Sequence, residues 1–519
     1  MNDIPFGMED QEEDQMQKGL YHCCWQTFVM LHRRKGVLFS YRTMHNSLMS
    51  MSNLKKKTNN LSREAQPRKG TPTICKITER CYPVIVTKMK YSFKTMKRPD
   101  PEKLKYPVQK DKGESTAVQI AQRIKLSGAI SVADYMKEVL TNPMAGYYMN
   151  KDVFGAAGDF ITSPEISQIF GDILGVWLIS EWEKLSMPKP LQIVEFGPGR
   201  GTLLSDIMKV IELNKDNMSI HLIEVSPTMQ RLQGDRLCLS YSTKDDLPHY
   251  AEGETVSGVK VFWYKDLKNV PKNFSLYIAH EFFDALPIHR FKKINDGAKT
   301  DDGWREILID LDPASTDPEN PKLRYVLSRE ETQACKLYVQ AVLGDSSPEQ
   351  LEVSPQGLSI AKELAARVEE HGGIALIVDY GHDGTKTDTF RVRSFVKHKQ
   401  TDPLKDVGTS DLTADVDFSQ LRRAAAQARV LGPVTQQQFL EAAFANVRQE
   451  ARTEEQEILK SGYDMLTNPA KMGEVFKFMA LFPTISEEHY KRYPVLGFPG
   501  FPKKSFTATT SVEVVLGEM

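Results

Sequence analysis

The sequence predicts a doubly wound α/β fold, and three observations carry that prediction. Continuous apolar runs recur after Pro190, helix-like spacing separates them, and the first run ends in an acid followed by glycine at every second position, Gly197, Gly199 and Gly201. Strands without polar alternation are buried on both faces, and their alternation with helices points to a parallel sheet covered on both sides.

Taken in order, Thr116 to Tyr148 reads as two helices, with Asn142-Pro143 and Gly146 ending the second. A mostly apolar helix follows, with Thr162 or Ser163 as its cap, Pro164 in its first turn and Ile166, Ile169, Phe170, Ile173, Leu174 and Trp177 inside. LQIVEF (191–196) is the first core strand and Thr202 to Leu213 the helix after the glycines. SIHLIEV (219–225) is the second strand, and Ser226-Pro227 opens the next helix with a cap and a first-turn proline. VKVFWY (259–264), FSLYIAHE (274–281) and, about ninety residues later, GIALIVDYG (373–381) complete the apolar series. Within that gap WREILIDLD and LRYVLS read as a strand pair and Gly357 to Glu370 as a helix, an insertion placed where such sheets bind ligands. The polar stretch after Gly381 reads as a long loop, Leu421 to Gln449 and Glu454 to Leu466 as helices, and FKFMALFP as a last strand.

With 519 residues, 40% apolar and 26% charged, the chain has the composition of a soluble globular protein. A formal net charge of -1 gives no global case for nucleic acid or an acidic membrane. No apolar run approaches the roughly 20 residues of a membrane-spanning helix. Six scattered cysteines without a CxxC pair argue against zinc or a disulfide framework and fit a reducing compartment. The front end is asymmetric: residues 1–14 are acidic, whereas 15–63 contain Arg33, Arg34, Lys35, Arg42 and Lys55 to Lys57 and no acid. Such a stretch reads either as a mitochondrial targeting segment or as a basic tail.

The glycine turn lacks the Lys-Ser/Thr of a phosphate loop, and Thr202 replaces the third glycine of the dinucleotide fingerprint GxGxxG. S-adenosylmethionine carries no phosphate but a zwitterionic amino acid and a ribose, which suit backbone amides in a tight turn and an acid, Glu195, at the strand end. Glu224 closes the second strand where a ribose-binding acid is expected, and Asp266 follows the third strand, positioned for the adenine amino group. Each acid alone reads equally as a solvated strand end; three at successive strand ends beside GxGxG favour S-adenosylmethionine over NAD. The next constellation, His280, Glu281 and Asp284, forms HExxD, one residue short of the zinc motif HExxH and at a strand end, so no metal is expected. It leaves a carboxylate pair beside Phe282 and Phe283, or simply the acids of a helix first turn.

GDFITSPEISQIFG, VEFGPGRGTL, AHEFFDALPIHRF, VDYGHDGTKTDTFR, DLTADVDF and GYDMLTNPAKMGE, in this order over about residues 117–483, closely resemble the MidA-like methyltransferases. The resemblance implies a seven-strand Rossmann-like methyltransferase core using S-adenosylmethionine. It also implies symmetric (type II) dimethylation of an arginine in a core subunit of mitochondrial complex I, in the matrix and for assembly of that complex. The organisation expected is a basic region 1–115, a helical segment 116–190 covering the cofactor, a core 191–385 with an insertion at about 285–372, polar loop and helices 386–450, and closing elements 451–519.

Arginine stays protonated near neutral pH, so methyl transfer to it depends on alignment by carboxylates. Glu281 is the first candidate for that clamp and Asp284 the second, with Phe282 or Phe283 shaping the pocket. His280 or His382 reads as a proton relay or as structural, and Asp411, Asp415 and Asp417 as an acidic attractor or as a loop with a helix cap. The competing classes are an assembly chaperone on the same fold and an NAD-linked oxidoreductase.

Overall fold

The computed structural model describes residues 115–149 and 162–498, apart from 212–216, 246, 295–302, 344–347, 386–389, 397–398, 445–453 and 486. The basic segment read at 1–115, up to residue 114, and the chain beyond 498 lie outside the described residues.

The described chain opens with α1 (Thr116–Ser127), β1 (Ile130–Ser131) and α2 (Val132–Thr141), whose apolar faces form one cluster with Met229, Ile288, Ile309 and Leu412. The single helix expected after Thr162 is two. A short α3 (Ser163–Ile166) ends at Ser167, whose extended backbone (φ -153, ψ 131) lets its hydroxyl accept from Ile169 N–H and cap α4 (Gln168–Lys184). The local bond offered by that serine outcompetes helical continuity.

The core strands fall where the apolar runs place them. β2 (Leu191–Phe196) leads to α5 (Thr202–Ile211), β3 (Met218–Ile223) to α6 (Pro227–Leu237), and β6 (Lys260–Tyr264) to β7 (Ser275–His280). A hairpin absent from the sequence reading, β4 (Ser240–Thr243) and β5 (Ala251–Glu254), precedes β6 and pairs with it. Four further strands lie in the segment after β7: β8 (His289–Lys293), β9 (Trp304–Leu311), β10 (Leu323–Leu327) and β11 (Gln350–Val353). With β1 they build a separate five-stranded antiparallel sheet, in which β9 and β10 are the expected pair. α7 (Pro355–His371) returns the chain to β12 (Gly373–His382).

After β12 the expected loop is instead a small three-stranded sheet of β13 (Arg393–Val396), β14 (Lys399–Thr401) and β15 (Asp411–Thr413), followed by β16 (Val416–Asp417). The expected helix from Leu421 to Gln449 is also revised. α8 (Phe418–Ala424) stops, β17 (Arg429–Thr435) crosses as a strand, and α9 (Gln436–Phe444) resumes; residues beyond 444 lie outside the described part up to α10 (Glu454–Thr467). Gly432-Pro433 interrupts any helix, and Val430 and Leu431 bond edge to edge with Leu481 and Ala480 of β18 (Phe476–Phe482).

The main sheet runs β17-β18-β12-β7-β2-β3-β6-β5-β4, with β16 joined to β12. β12, β7, β2, β3 and β6 are parallel. Side chains alternate between two cores: Ile193, Leu276 and Leu376 face α4 and α5, and Val194, Tyr277 and Ile377 face α7 and α8. Strand order reverses at β2, because the chain builds outward through β3 and β6 and then returns to lay β7 on the other side. In such sheets the crevice beyond the strand ends at the reversal is the ligand site.

Candidate active site

The turn after β2 requires its glycines. Gly197, Gly199 and Gly201 have φ of +53, +54 and +73, a region that side-chain-bearing residues rarely enter. Glu195 is 2% exposed, its Oε2 has no hydrogen-bond partner among the described residues, and burial pushes its carboxyl up to about 8. A buried carboxylate oxygen beside a bare-backbone turn fits a ligand that brings a cation and needs close main-chain approach.

Glu224, at the end of β3, is also buried. Its Oε1 accepts from Ser226 N–H at 2.7 Å and its Oε2 from Gln233 Nε2 at 2.9 Å, while burial raises it to about 7 against those bonds. Ser226 caps α6 through Met229 N–H and donates its hydroxyl to the Tyr148 carbonyl at 2.6 Å, so the N-terminal segment lies against the second strand end. Asp266 is exposed just after β6, and its carboxylate accepts from Lys268 N–H at 2.8 Å, capping a single 3-10 turn.

Across the crevice, the chain leaves β7 through Glu281 at φ +49, which is strained backbone for a residue with a side chain. The helix first turn expected there is a 3-10 turn at Phe283–Ala285. Asp379, fully buried in β12, holds it: its Oδ2 accepts from the backbone N–H of Phe282, Phe283 and Asp284 at 3.2, 3.0 and 3.3 Å. Glu281 Oε1 lies 3.5 Å from Ser163 N–H, which donates to it, and 3.4 Å from His280 Nε2. Burial raises Glu281 to about 8, with like charge from Asp284, Glu165 and Asp411 adding to the shift.

Asp284 accepts a bond from Tyr380 O–H through Oδ2, its Oδ1 has no hydrogen-bond partner among the described residues, and burial raises it to about 6. Asp379 is driven further up by burial and by Asp284 and Glu281. His280 is kept neutral, down to about 3 by burial, so it is a poor proton acceptor. The arrangement therefore gathers three carboxyls that carry more protons at neutral pH than exposed ones would, at a place where a cation would ionise them.

Among the remaining candidates, Phe282 lies against Phe196, with ring centroids 5.2 Å apart, and Phe283 is buried in the second core. Asp411 accepts from Tyr148 O–H at 2.7 Å, Asp415 pairs with Arg393, and Asp417 caps α8 through Ser419 and Gln420 N–H. His382 Nδ1 accepts from Gly384 N–H at 3.1 Å. The sequence reading missed Gln233, Asp379, Tyr380 and Ser163. An acid inside the apolar strand IALIVDY was the visible signal for Asp379; the other three are recognisable only once the fold assembles them.

A glycine turn and strand-end acids at a switch point define a nucleoside-cofactor site on an α/β sheet. The family described as "Putative S-adenosyl-L-methionine-dependent methyltransferase" matches residues 173–434, and the chain belongs to it. It is 48% identical over 79% of its length to a Drosophila melanogaster homolog of mitochondrial protein arginine methyltransferase NDUFAF7, covering 97% of that protein. It is 47% identical over 70% of its length to the Homo sapiens protein of that name, covering 82% of it. A Burkholderia thailandensis structure described as a "likely methyl transferase" bound to S-adenosyl-homocysteine shares the fold, with a TM-score of 0.57 and 21% identity over 73% of this chain and 94% of that one. The cofactor of this family is S-adenosylmethionine, and the buried Glu195 oxygen beside the glycine turn, without a partner among the described residues, suits its ammonium group.

Proposed function

We propose that the chain is a protein arginine methyltransferase in which Glu281 and Asp284 receive the acceptor guanidinium. We read β17, β18, β12, β7, β2, β3 and β6 as the seven-strand methyltransferase core and the sheet of β8–β11 as the inserted substrate platform. The observation that carries the reading is the pair of buried carboxyls, Glu281 and Asp284, on the strained turn that lies against the glycine loop through Phe282.

Gly197, Gly199, Gly201, Glu195 and Glu224 hold the cofactor in this reading, with Asp266 at the adenine side. The cofactor supplies an electrophilic methyl group on a sulfonium. Glu281 and Asp284 grip the guanidinium with charge-assisted bonds and turn one nitrogen toward the crevice. Asp379 keeps both acids on one turn by fixing its three amides. As the nitrogen is alkylated, the carboxylates draw positive charge toward the other nitrogens, and ionised Glu281 accepts the proton the product sheds. His280 stays neutral and supports Glu281.

The finer parts of the proposal are symmetric dimethylation of an arginine in a core subunit of mitochondrial complex I, in the matrix, in support of assembly. The relatives' names support an arginine acceptor and the mitochondrion, and the rest is carried by the family resemblance of the sequence motifs. Cells lacking the chain are given wild type or Glu281→Gln, and mitochondrial protein is analysed for dimethylarginine and for assembled complex I. Wild type should restore both and Glu281→Gln neither. Assembly restored by Glu281→Gln would favour the chaperone class instead.

A further inference from the structure

We propose that Gln233 is a positioning residue for the cofactor: it fixes the glycine turn and the ribose-binding acid at one separation. Gln233 lies on α6 and is fully buried. A primary amide offers one acceptor oxygen and two N–H donors. Indole N–H is a donor only, so the 2.9 Å bond from Trp263 Nε1 must fall on Gln233 Oε1, which settles which end of the amide is which. Both Nε2 hydrogens then go to acceptors on the two halves of the cofactor site, the Gly199 carbonyl at 2.8 Å and Glu224 Oε2 at 2.9 Å. The second oxygen of Glu224 is aligned separately by Ser226 N–H.

One side chain thus ties the left-handed Gly199 turn to the carboxylate of the neighbouring strand, with its own orientation set by a third, β6. A change at Gln233 releases the Gly199 carbonyl, the Glu224 carboxylate and the Trp263 N–H from one another. Leaving the Gly199 carbonyl and the Glu224 oxygen without their donor also removes the alignment of the acid toward ribose hydroxyls. The inference rests on the reading of Glu224 as the ribose acceptor.

The test uses the full chain, with S-adenosylhomocysteine and its 2′,3′-dideoxyribose form titrated calorimetrically into wild type, Gln233→Met and Gln233→Glu. Circular dichroism melting checks that each variant is folded. Wild type should prefer the natural ribose by about tenfold or more, and both variants should weaken natural-ligand binding and lose most of that preference. Gln233→Glu keeps the length and an acceptor for Trp263 but offers at most one proton where the amide donates two, and it sets a second carboxyl against Glu224. It therefore tests the tie in a folded protein if Gln233→Met fails to fold. A folded variant that binds and discriminates as wild type does would overturn the role of Gln233. Wild type that binds both ligands equally would overturn the Glu224 reading, and with it this one.

Discussion

A Cβ placed on Gly197 would come within 3.1 Å of Phe282 Cδ2, so the loop after β2 and the turn after β7 are in contact at a glycine where a side chain would press on the Phe282 ring. The contact couples the two halves of the crevice, and it gives the first prediction. Gly197→Ala combines left-handed strain, about 1–2 kcal/mol, with displacement of Phe282. S-adenosylhomocysteine affinity and methyl transfer should both fall by about tenfold or more. Wild-type values of both in a calorimetric titration and a turnover assay would contradict the contact. Gly199→Val carries a further lesson: at φ +54 a β-branched residue is strained, so it should cost stability as well as cofactor binding.

Glu195 predicts a pH dependence of binding. Its carboxyl is held up to about 8 by burial, and only the ionised form attracts the cofactor's ammonium. Affinity for S-adenosylhomocysteine should therefore rise as pH climbs from about 6 to about 8. Glu195→Gln should bind weakly and flatten that rise; an unchanged slope in the variant would assign the dependence elsewhere.

The acids on the β7 turn separate binding from chemistry. Glu281→Gln and Asp284→Asn should each retain cofactor affinity while turnover falls by roughly 10²–10³, the cost of removing a positioned electrostatic group. A matching loss of cofactor affinity would mean that these acids serve the cofactor rather than the acceptor.

Asp379 is predicted to be a structural residue with a catalytic consequence. Asp379→Ala strands three buried N–H groups, at about 1–3 kcal/mol for each one that stays unsatisfied. Denaturant unfolding should show a loss of at least about 2 kcal/mol. Wild-type stability would mean that the turn holds itself.

Stability should fall as pH rises. Burial raises Glu195 and Glu281 to about 8, and Glu224 and Glu352 of β11 to about 7, all well above the ordinary glutamate range. A carboxyl with a raised folded-state pKa stabilises fully below its unfolded value and loses that contribution as pH climbs through the folded one. The cofactor-free protein should melt lower at about pH 8.5 than at about pH 5.5, and a rising or flat Tm would contradict the buried-acid account.

The parallel strands were legible because IVEF, HLIEV, FWY, LYIAH and ALIVDY have no polar alternation, and the glycines because spacing alone marks them. β17 was not legible, because its pairing with β18 is non-local and QLRRAAAQARVLG carries helix-forming residues up to the bend. The β13–β15 sheet was hidden by its polarity. Within the site, Glu195, Glu224, Glu281 and Asp284 could be named from their place at strand ends. Gln233, on an ordinary polar helix, gains its role only from Trp263 and Gly199, which lie 30 and 34 residues away. Asp266 was named from the same strand-end pattern, and in the fold its carboxylate also caps a local turn.

The measurement that bears most directly on the central claim is transfer of labelled methyl from S-adenosylmethionine by the purified chain into an extract of cells lacking it, followed by acid hydrolysis and amino-acid analysis. The account predicts label in dimethylarginine, in the symmetric form, and its disappearance with Glu281→Gln. Label in another amino acid, or equal label from Glu281→Gln, would contradict it.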